Sequence, residues 1–346
     1  MKMRRDVKRI AVAAAAAAAA AAIERGVFAS PPYRGPQSGH FDGTRFHNDV
    51  DGRQSELAFL KWRMARTPGY WRTRAMPYGP PPPARVDGGA LRMTFVNHST
   101  VLLQVDGMSI LTDPIWSERP SPFPFVGPKR HRPPGIRFDD LPKIDLVLVS
   151  HNHYDHLDVA TLRALQRRDR PRIVTPLGNA KLMARHGLAG AIDLDWWQAV
   201  PLGRLVVTCV PARHFSARAL SDRNKNLWSG FVIGAPSGDI YFAGDTGWGP
   251  HFERIAERFP SIRLALLPIG SYAPRWFMEP VHIDPAQAVD AHLILGARTS
   301  AAVHFGTFAL GDDGEDDPLI ELRQAIVAKG EPRFMALDHG EGRDIE

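Results

Sequence analysis

Short apolar runs rich in Val, Ile and Leu, each four to six residues long, punctuate the chain from Leu91 onward. Residues 93–96 and 100–105 read as paired strands, and Asp106-Gly107 turns the second into a third at 109–112. Further runs at 144–149, 205–210, 239–243, 262–267 and 300–303 are too short for helices and predict buried strands. Helical stretches separate them. One opens at Asp158 and runs through Leu165, and one covers 179–186 and stops at Gly187. A third is capped by Asp284, begins with Pro285 and runs to Gly296. Strands interleaved with helices predict a layered α/β domain over residues 91–346.

Ahead of that domain the pattern changes. Residues 30–90 are rich in Pro, Gly and Arg and predict an extension packed on the main domain. Within it, 55–65 has helical periodicity, with Leu57, Leu60 and Met64 on one face. Trp62, Tyr70, Trp71 and Tyr78 alternate with arginines and are expected to dock the extension or to meet lipid headgroups. Residues 1–9 are basic, 10–23 are apolar and almost all alanine, and Val27-Phe28-Ala29-Ser30 offers a small-residue cleavage site. That layout predicts a signal or anchoring segment at 1–29 and an exported (periplasmic) or membrane-associated protein, with a cytoplasmic one as the alternative. The apolar block is shorter than the ~20 residues a spanning helix needs. Arg4-Arg5 loosely resembles a twin-arginine signal.

The 346 residues, 44% apolar and 23% charged, are enough for a substantial globular core. Net charge is +6, but residues 1–29 carry six basic and two acidic side chains, so most of the excess is local. The remainder is too mildly basic to imply nucleic acid binding. Cys209 is the single cysteine. It excludes an internal disulfide and a cysteine-based zinc site, and its apolar strand predicts an inert buried thiol.

The chemistry begins at His151-Asn152-His153-Tyr154-Asp155-His156, directly after the 144–149 run. Four metal-capable side chains at i, i+2, i+4 and i+5 suit a loop curling around metal, since a helix would align i and i+4. An isolated His-x-His is an ordinary surface pair; His-x-His-x-Asp-His at a strand end is a far more specific signal. Imidazole with carboxylate favours zinc over calcium or magnesium, although iron and manganese accept the same donors. His214, Asp245 and His304 each follow a predicted strand as well, and strand ends at one edge of an α/β domain converge. Seven ligands are too many for one tetrahedral ion and suit two Zn2+ sharing a carboxylate. His151, His153 and His214 are assigned to one ion, Asp155, His156 and His304 to the other, and Asp245 to the bridge. Such a pair activates a water between its ions, so no protein nucleophile is needed.

These motifs resemble those of the metallo-β-lactamase superfamily. Within it, several segments are similar to N-acylphosphatidylethanolamine-hydrolysing phospholipase D. They are Asn97-His98-Ser99-Thr100-Val101, Leu111-Thr112-Asp113-Pro114-Ile115, Gly127-Pro128-Lys129-Arg130, the ligand loop, Asp195-Trp196-Trp197, Gly244-Asp245-Thr246-Gly247, Pro274-Arg275-Trp276-Phe277-Met278 and His304-Phe305-Gly306-Thr307-Phe308. The resemblance runs with gaps from about residue 91 to the end; Asn97 and Ser99 depart from the Gly and Ala usual there. It implies a four-layer αββα sandwich and cleavage of a phospholipid diester to phosphatidic acid and an N-acylethanolamine. It also implies a peripheral membrane contact and leaves a homodimer open.

On that basis Asp155, Asp245 and His282 are the expected catalytic residues, His282 touching phosphate or the leaving group. His98, Lys129, Arg275 and Trp276 are expected at the substrate, Lys129 and Arg275 as partners of phosphate or headgroup. Phe277, Met278 and the Phe123/Phe125 pair are candidates for an acyl groove. Asp113 is expected to orient a ligand imidazole. A lactone or carboxyl-ester hydrolase on the same scaffold is the alternative. A non-enzymatic metal- or lipid-binding protein is disfavoured by the complete ligand set.

Overall fold

A computed structural model describes residues 24–50 and 54–346. The basic and alanine-rich stretch to which the signal was assigned lies mostly outside the described residues. In chain order the strands are β1 (Leu91–Asn97), β2 (Thr100–Val105), β3 (Met108–Thr112), β4 (Leu146–Leu148), β5 (Arg172–Pro176), β6 (Ile192–Leu194) and β7 (Ala199–Leu202). They continue as β8 (Leu205–Val210), β9 (Gly230–Gly234), β10 (Asp239–Phe242), β11 (Ile262–Pro268), β12 (Thr299–Val303), β13 (Phe334–Met335) and β14 (Gly342–Ile345). They form two seven-stranded sheets, ordered β14-β1-β2-β3-β4-β5-β6 and β13-β12-β11-β10-β9-β8-β7.

Alternation along each strand sorts side chains between layers. On β2, Val101 and Leu103 face the second sheet, where they join Val207, Cys209, Phe231, Ile240 and Phe242. Leu102 points the other way, with Leu111, Val147 and Val149, and meets Leu162, Leu165, Leu182 and Met183 of the helices Val159–Arg168 and Asn179–Arg185. The helix Pro285–Leu295 packs on β11 and touches the helices His251–Arg258 and Asp317–Ala328. The result is an αββα sandwich of two mixed sheets flanked by helices.

The polarity of the sheets decides where the chemistry falls. β9 is antiparallel to both β8 and β10, so β8 and β10 run the same way. β10, β11 and β12 are mutually parallel. The chain therefore leaves β8, β10 and β12 at one edge, and it is past those ends that His214, Asp245 and His304 stand. β3 and β4 are likewise parallel, which brings Asp113 beside the His151 loop.

The helix in the extension, Glu56–Met64, packs by a different face from the one its periodicity suggests. Leu57, Leu60 and Met64 are exposed at 80%, 54% and 81%. Trp62 turns inward instead, clustering with Phe277 and Met278, stacked 5.0 Å from the Phe277 ring and donating its indole N–H to Asp312 Oδ2 at 3.2 Å. A wide aromatic ring with a satisfied N–H fills that contact better than flexible aliphatics do. Trp71 is anchored through Asp313 O at 2.9 Å, whereas Tyr70 and Tyr78 are exposed. Phe41 and Phe46 are buried in the main core, so the extension shares that core.

Candidate metal centre

The ligand loop begins where β4 ends, and residues 153–157 close a tight turn through His156 N and Leu157 N, both donating to His153 O. The turn gathers the loop's side chains against His214, Asp245 and His304, and of the seven candidate ligands all but His153 and Asp155 are buried. His151, His153 and His214 form one cluster of ligand atoms, and Asp155, His156 and His304 belong to another with His98. His151 Nε2 and His214 Nε2 lie 2.8 Å and 3.3 Å from His153 Nδ1. Asp155 Oδ2 lies 3.2 Å from His156 Nε2 and 3.6 Å from His304 Nε2. Two ligands of one tetrahedral ion, each ~2.1 Å from it, stand about 3.4 Å apart, so these spacings suit metal ligation.

Asp245 lies between the clusters. Its Oδ2 is 3.2 Å from His156 Nε2 and 3.1 Å from His304 Nε2, and 3.8 Å and 4.0 Å from Nε2 of His214 and His151. His156 Nε2, His304 Nε2 and Asp245 Oδ1 are buried without a properly angled hydrogen-bond partner. Buried polar atoms are seldom left so, and a divalent cation would satisfy them.

The outward nitrogens are held from behind. His156 Nδ1 donates to Asp113 Oδ2 at 2.6 Å, which directs Nε2 into the site. Asp113 also accepts from Ser150 N at 2.7 Å and Ser150 Oγ at 2.6 Å, and Ser150 Oγ lies 2.9 Å from His151 Nδ1. His214 Nδ1 donates to Val281 O at 2.9 Å.

Burial, reinforced by neighbouring imidazoles, holds His151 well below its ordinary pKa. It brings His153 and His214 to about 3, against the pull of nearby carboxylates. These three are neutral, as ligation requires. Burial opposes charge on His156 and His304 too, but Asp245, Asp155 and, for His156, Asp113 overcome it. His156 is held well above its ordinary value and His304 at about 9. The protons on these two imidazoles are those a cation would displace.

The remaining expected residues divide. His282 lines the site, its ring 5.2 Å from that of His214 and 5.3 Å from that of His304, with Nδ1 unpartnered. His98 is buried behind Asp155, 2.9 Å from its Oδ2, and does not line the substrate cavity. Arg275 bonds His282 O at 2.9 Å and Gln287 Oε1 at 3.0 Å, so it braces the loop that carries His282. Trp276 is 52% exposed beneath Lys61, and the next two residues, Phe277 and Met278, point into the cavity in its place. Lys129 is exposed beside Glu118, away from the cavity, and Phe123 and Phe125 are exposed on the same loop. Arg275 and His98 are thus held by their own hydrogen bonds and not by substrate-facing positions.

The cavity itself measures about 630 Å3. Its walls include Phe59, Leu60, Trp62, Phe215, Leu220, Phe277, Met278 and Leu310, and His153, Asp155, His214, Asp245 and His304 form part of its lining. Arg223 is the arginine or lysine among the described lining residues, over the Phe215 ring at 4.0 Å. Sequence reasoning passes over Arg223, Phe215 and Leu220 because the loop between β8 and β9 has no periodicity. Its position immediately after a ligand histidine was the available signal.

Residues 109–305 match the β-lactamase superfamily domain. Over 264 residues the chain is 38% identical to N-acyl-phosphatidylethanolamine-hydrolyzing phospholipase D 1 of Caenorhabditis elegans, covering 72% of this chain and 74% of that protein. It is 37% identical over 227 residues to the mitochondrial N-acyl-phosphatidylethanolamine-hydrolyzing phospholipase D of Saccharomyces cerevisiae, covering 64% of this chain and 48% of that one. A metallo hydrolase of the archaeon Ignicoccus hospitalis shares the fold at a TM-score of 0.56 and 22% identity, over 74% of this chain and 99% of its own. The chain belongs to the metallo-β-lactamase superfamily and is a metal-dependent hydrolase. Within that class, its sequence resembles the N-acylphosphatidylethanolamine-hydrolysing phospholipases D.

Proposed function

We propose that the protein is a dinuclear zinc phosphodiesterase of phospholipase D type, converting N-acylphosphatidylethanolamine to N-acylethanolamine and phosphatidic acid. The observation that carries this reading is an apolar-walled cavity opening directly onto the ligand atoms. A substrate with hydrocarbon chains beside a charged phosphodiester fits that combination, and relatives named for this reaction support it.

His151, His153 and His214 would hold one zinc, and Asp155, His156 and His304 the other, with Asp245 shared. Bound there, zinc supplies a water deprotonated near neutral pH and positive charge for the phosphoryl oxygens. The chain's own residues orient the lipid. Arg223 pairs with the phosphodiester, Phe277 and Met278 meet acyl carbons, and His282 holds a phosphoryl or departing oxygen. Water oxygen joins phosphorus, the bond to the ethanolamine oxygen breaks, and that oxygen leaves as an alcohol after taking a proton.

The test is hydrolysis of N-acylphosphatidylethanolamine beside a lactone panel by metal-analysed protein. Release of both products, lost with chelator, is expected. His282→Ala should lower kcat by roughly 100-fold or more, as for a positioned proton-transfer group, while retaining metal. Lactone turnover with intact phospholipid would overturn the substrate assignment.

We also infer a membrane contact at the cavity mouth. Leu57 and Met64 are exposed on the extension helix, whose Phe59 and Leu60 line the cavity together with Leu220, itself 95% exposed. Replacing Leu57 and Met64 by Asp should weaken vesicle binding at least about tenfold in a sedimentation assay, since each inserted side chain contributes about 1.5–3 kcal/mol. Unchanged sedimentation would remove this helix from the contact.

A further inference from the structure

Residues 29–48 run beside the segment that carries His214 from β8 to β9. Tyr33 N donates to Lys225 O at 3.0 Å, and Phe46 N donates to Asn224 O at 2.8 Å. Asn226 Nδ2 donates to Pro31 O at 3.0 Å. Two contacts reach the ligand set itself. Ser30 Oγ accepts from Nδ2 of Asn152, the residue between His151 and His153, at 2.9 Å. Asn48 grips His214 by its backbone. Its Nδ2 donates to His214 O at 2.9 Å, and its Oδ1 accepts from His214 N at 3.1 Å and from Trp228 Nε1 at 3.1 Å.

We propose that Asn48 is a positioning residue for the metal centre, setting the backbone of His214 so that its imidazole meets the ligand cluster. His214 lies beyond the end of β8, after Pro211, where its peptide groups have left the β-ladder. A buried N–H and C=O still need partners. The asparagine amide offers one donor and one acceptor at a spacing that serves both, replacing the missing strand neighbour. The ring is turned by Val281 O at Nδ1, and the backbone that carries the ring is placed by Asn48. Asn48 contacts neither the ion positions nor the cavity, so it acts through His214. His156 and His304 are carried by other elements, the turn after β4 and the end of β12. Loss of Asn48 therefore weakens the His151, His153 and His214 cluster selectively. The selectivity rests on the two-zinc reading above; the positioning role does not.

The experiment measures zinc affinity by chelator competition, Co2+ absorption spectra and thermal unfolding for the full chain and its variants. Asn48→Ala is expected to weaken one zinc equivalent by roughly 10–100-fold, the usual effect of losing a partner behind a ligand, and to change the Co2+ spectrum of that equivalent. His40→Ala is the control. It removes the 2.7 Å contact with Asp195 and the stack 4.4 Å from Trp196, which hold the same extension without touching a ligand loop. It should lower the melting temperature and leave zinc affinity unchanged. Asn48→Asp keeps the acceptor for His214 N and Trp228 Nε1 but sets a charged oxygen where the donor to His214 O stood, so weakening of the same zinc equivalent in this variant serves if the alanine variant does not fold. Wild-type zinc affinity in the Asn48 variants, or equal zinc loss in His40→Ala, would overturn the proposal. A single zinc in the wild type would end the dinuclear reading, and the ratio of variant to wild-type affinity would still decide the role of Asn48.

Discussion

Asp245→Asn is expected to abolish hydrolysis and to weaken metal binding by more than roughly 100-fold, beyond the upper end for residues that only support a ligand. One carboxylate oxygen lies within 4.0 Å of four imidazole nitrogens drawn from both clusters. The amide keeps the shape, removes the negative charge and can turn a non-ligating NH2 toward the histidine cluster on either side. Its neighbours then lose what offsets their mutual repulsion. His156 and His304, which Asp245 helps to keep protonated against burial, lose that partner as well. Metal content per chain, measured beside activity, is the check. A fully loaded, active Asp245→Asn protein would remove Asp245 from the ligand set.

The second large effect is expected at Asp113, whose Oδ2 stands behind the His156 ring, 2.6 Å from Nδ1. Asp113→Ala strands Ser150 N and His156 Nδ1, both buried, at about 1–3 kcal/mol each. Ser150 Oγ retains His151 Nδ1 as a neighbour, so its loss is smaller. A destabilisation of about 2–6 kcal/mol follows, with the His156 ring released from the orientation that aims Nε2 inward. Asp113→Asn separates the two consequences. Its carbonyl oxygen can still accept from Ser150 N, but its NH2 then faces His156 Nδ1 and favours the tautomer with the proton on Nε2. That variant should fold and bind metal weakly. Denaturant unfolding and metal titration of both variants decide the matter; an Asp113→Asn protein with wild-type metal affinity would show that the carboxylate does not set the tautomer.

Much of the sandwich and the whole proposed ligand set could be read from local features. A run such as 100–105 is too short and too β-branched to be a helix whatever it packs against, and it is β2. Histidines and aspartates just past such runs are visible one at a time, and the regular use of strand ends in α/β domains says that they meet. Local pattern fails where a distant partner decides. β14 is four residues, Gly342–Ile345, with Arg343 and Asp344 exposed, and it is a strand because β1 lies alongside with Leu91 opposite Ile345. β7, interrupted by Pro201, is an edge strand that exists through β8. The helix at 56–64 is legible as a helix, but which face it buries was set by Phe277 and Asp312, more than two hundred residues away.

The same division runs through the site. Residue type and position relative to strands determined the candidate ligands and the reaction class, because a metal ligand must be one of a few side chains at a place where chain ends converge. Tertiary structure alone decided that Arg223 faces the cavity while Lys129 faces away, that His98 supports Asp155, and that Asn48 holds His214. Those roles depend on which loop lies against which. The packing that sets this is long-range, and no short window of sequence contains it.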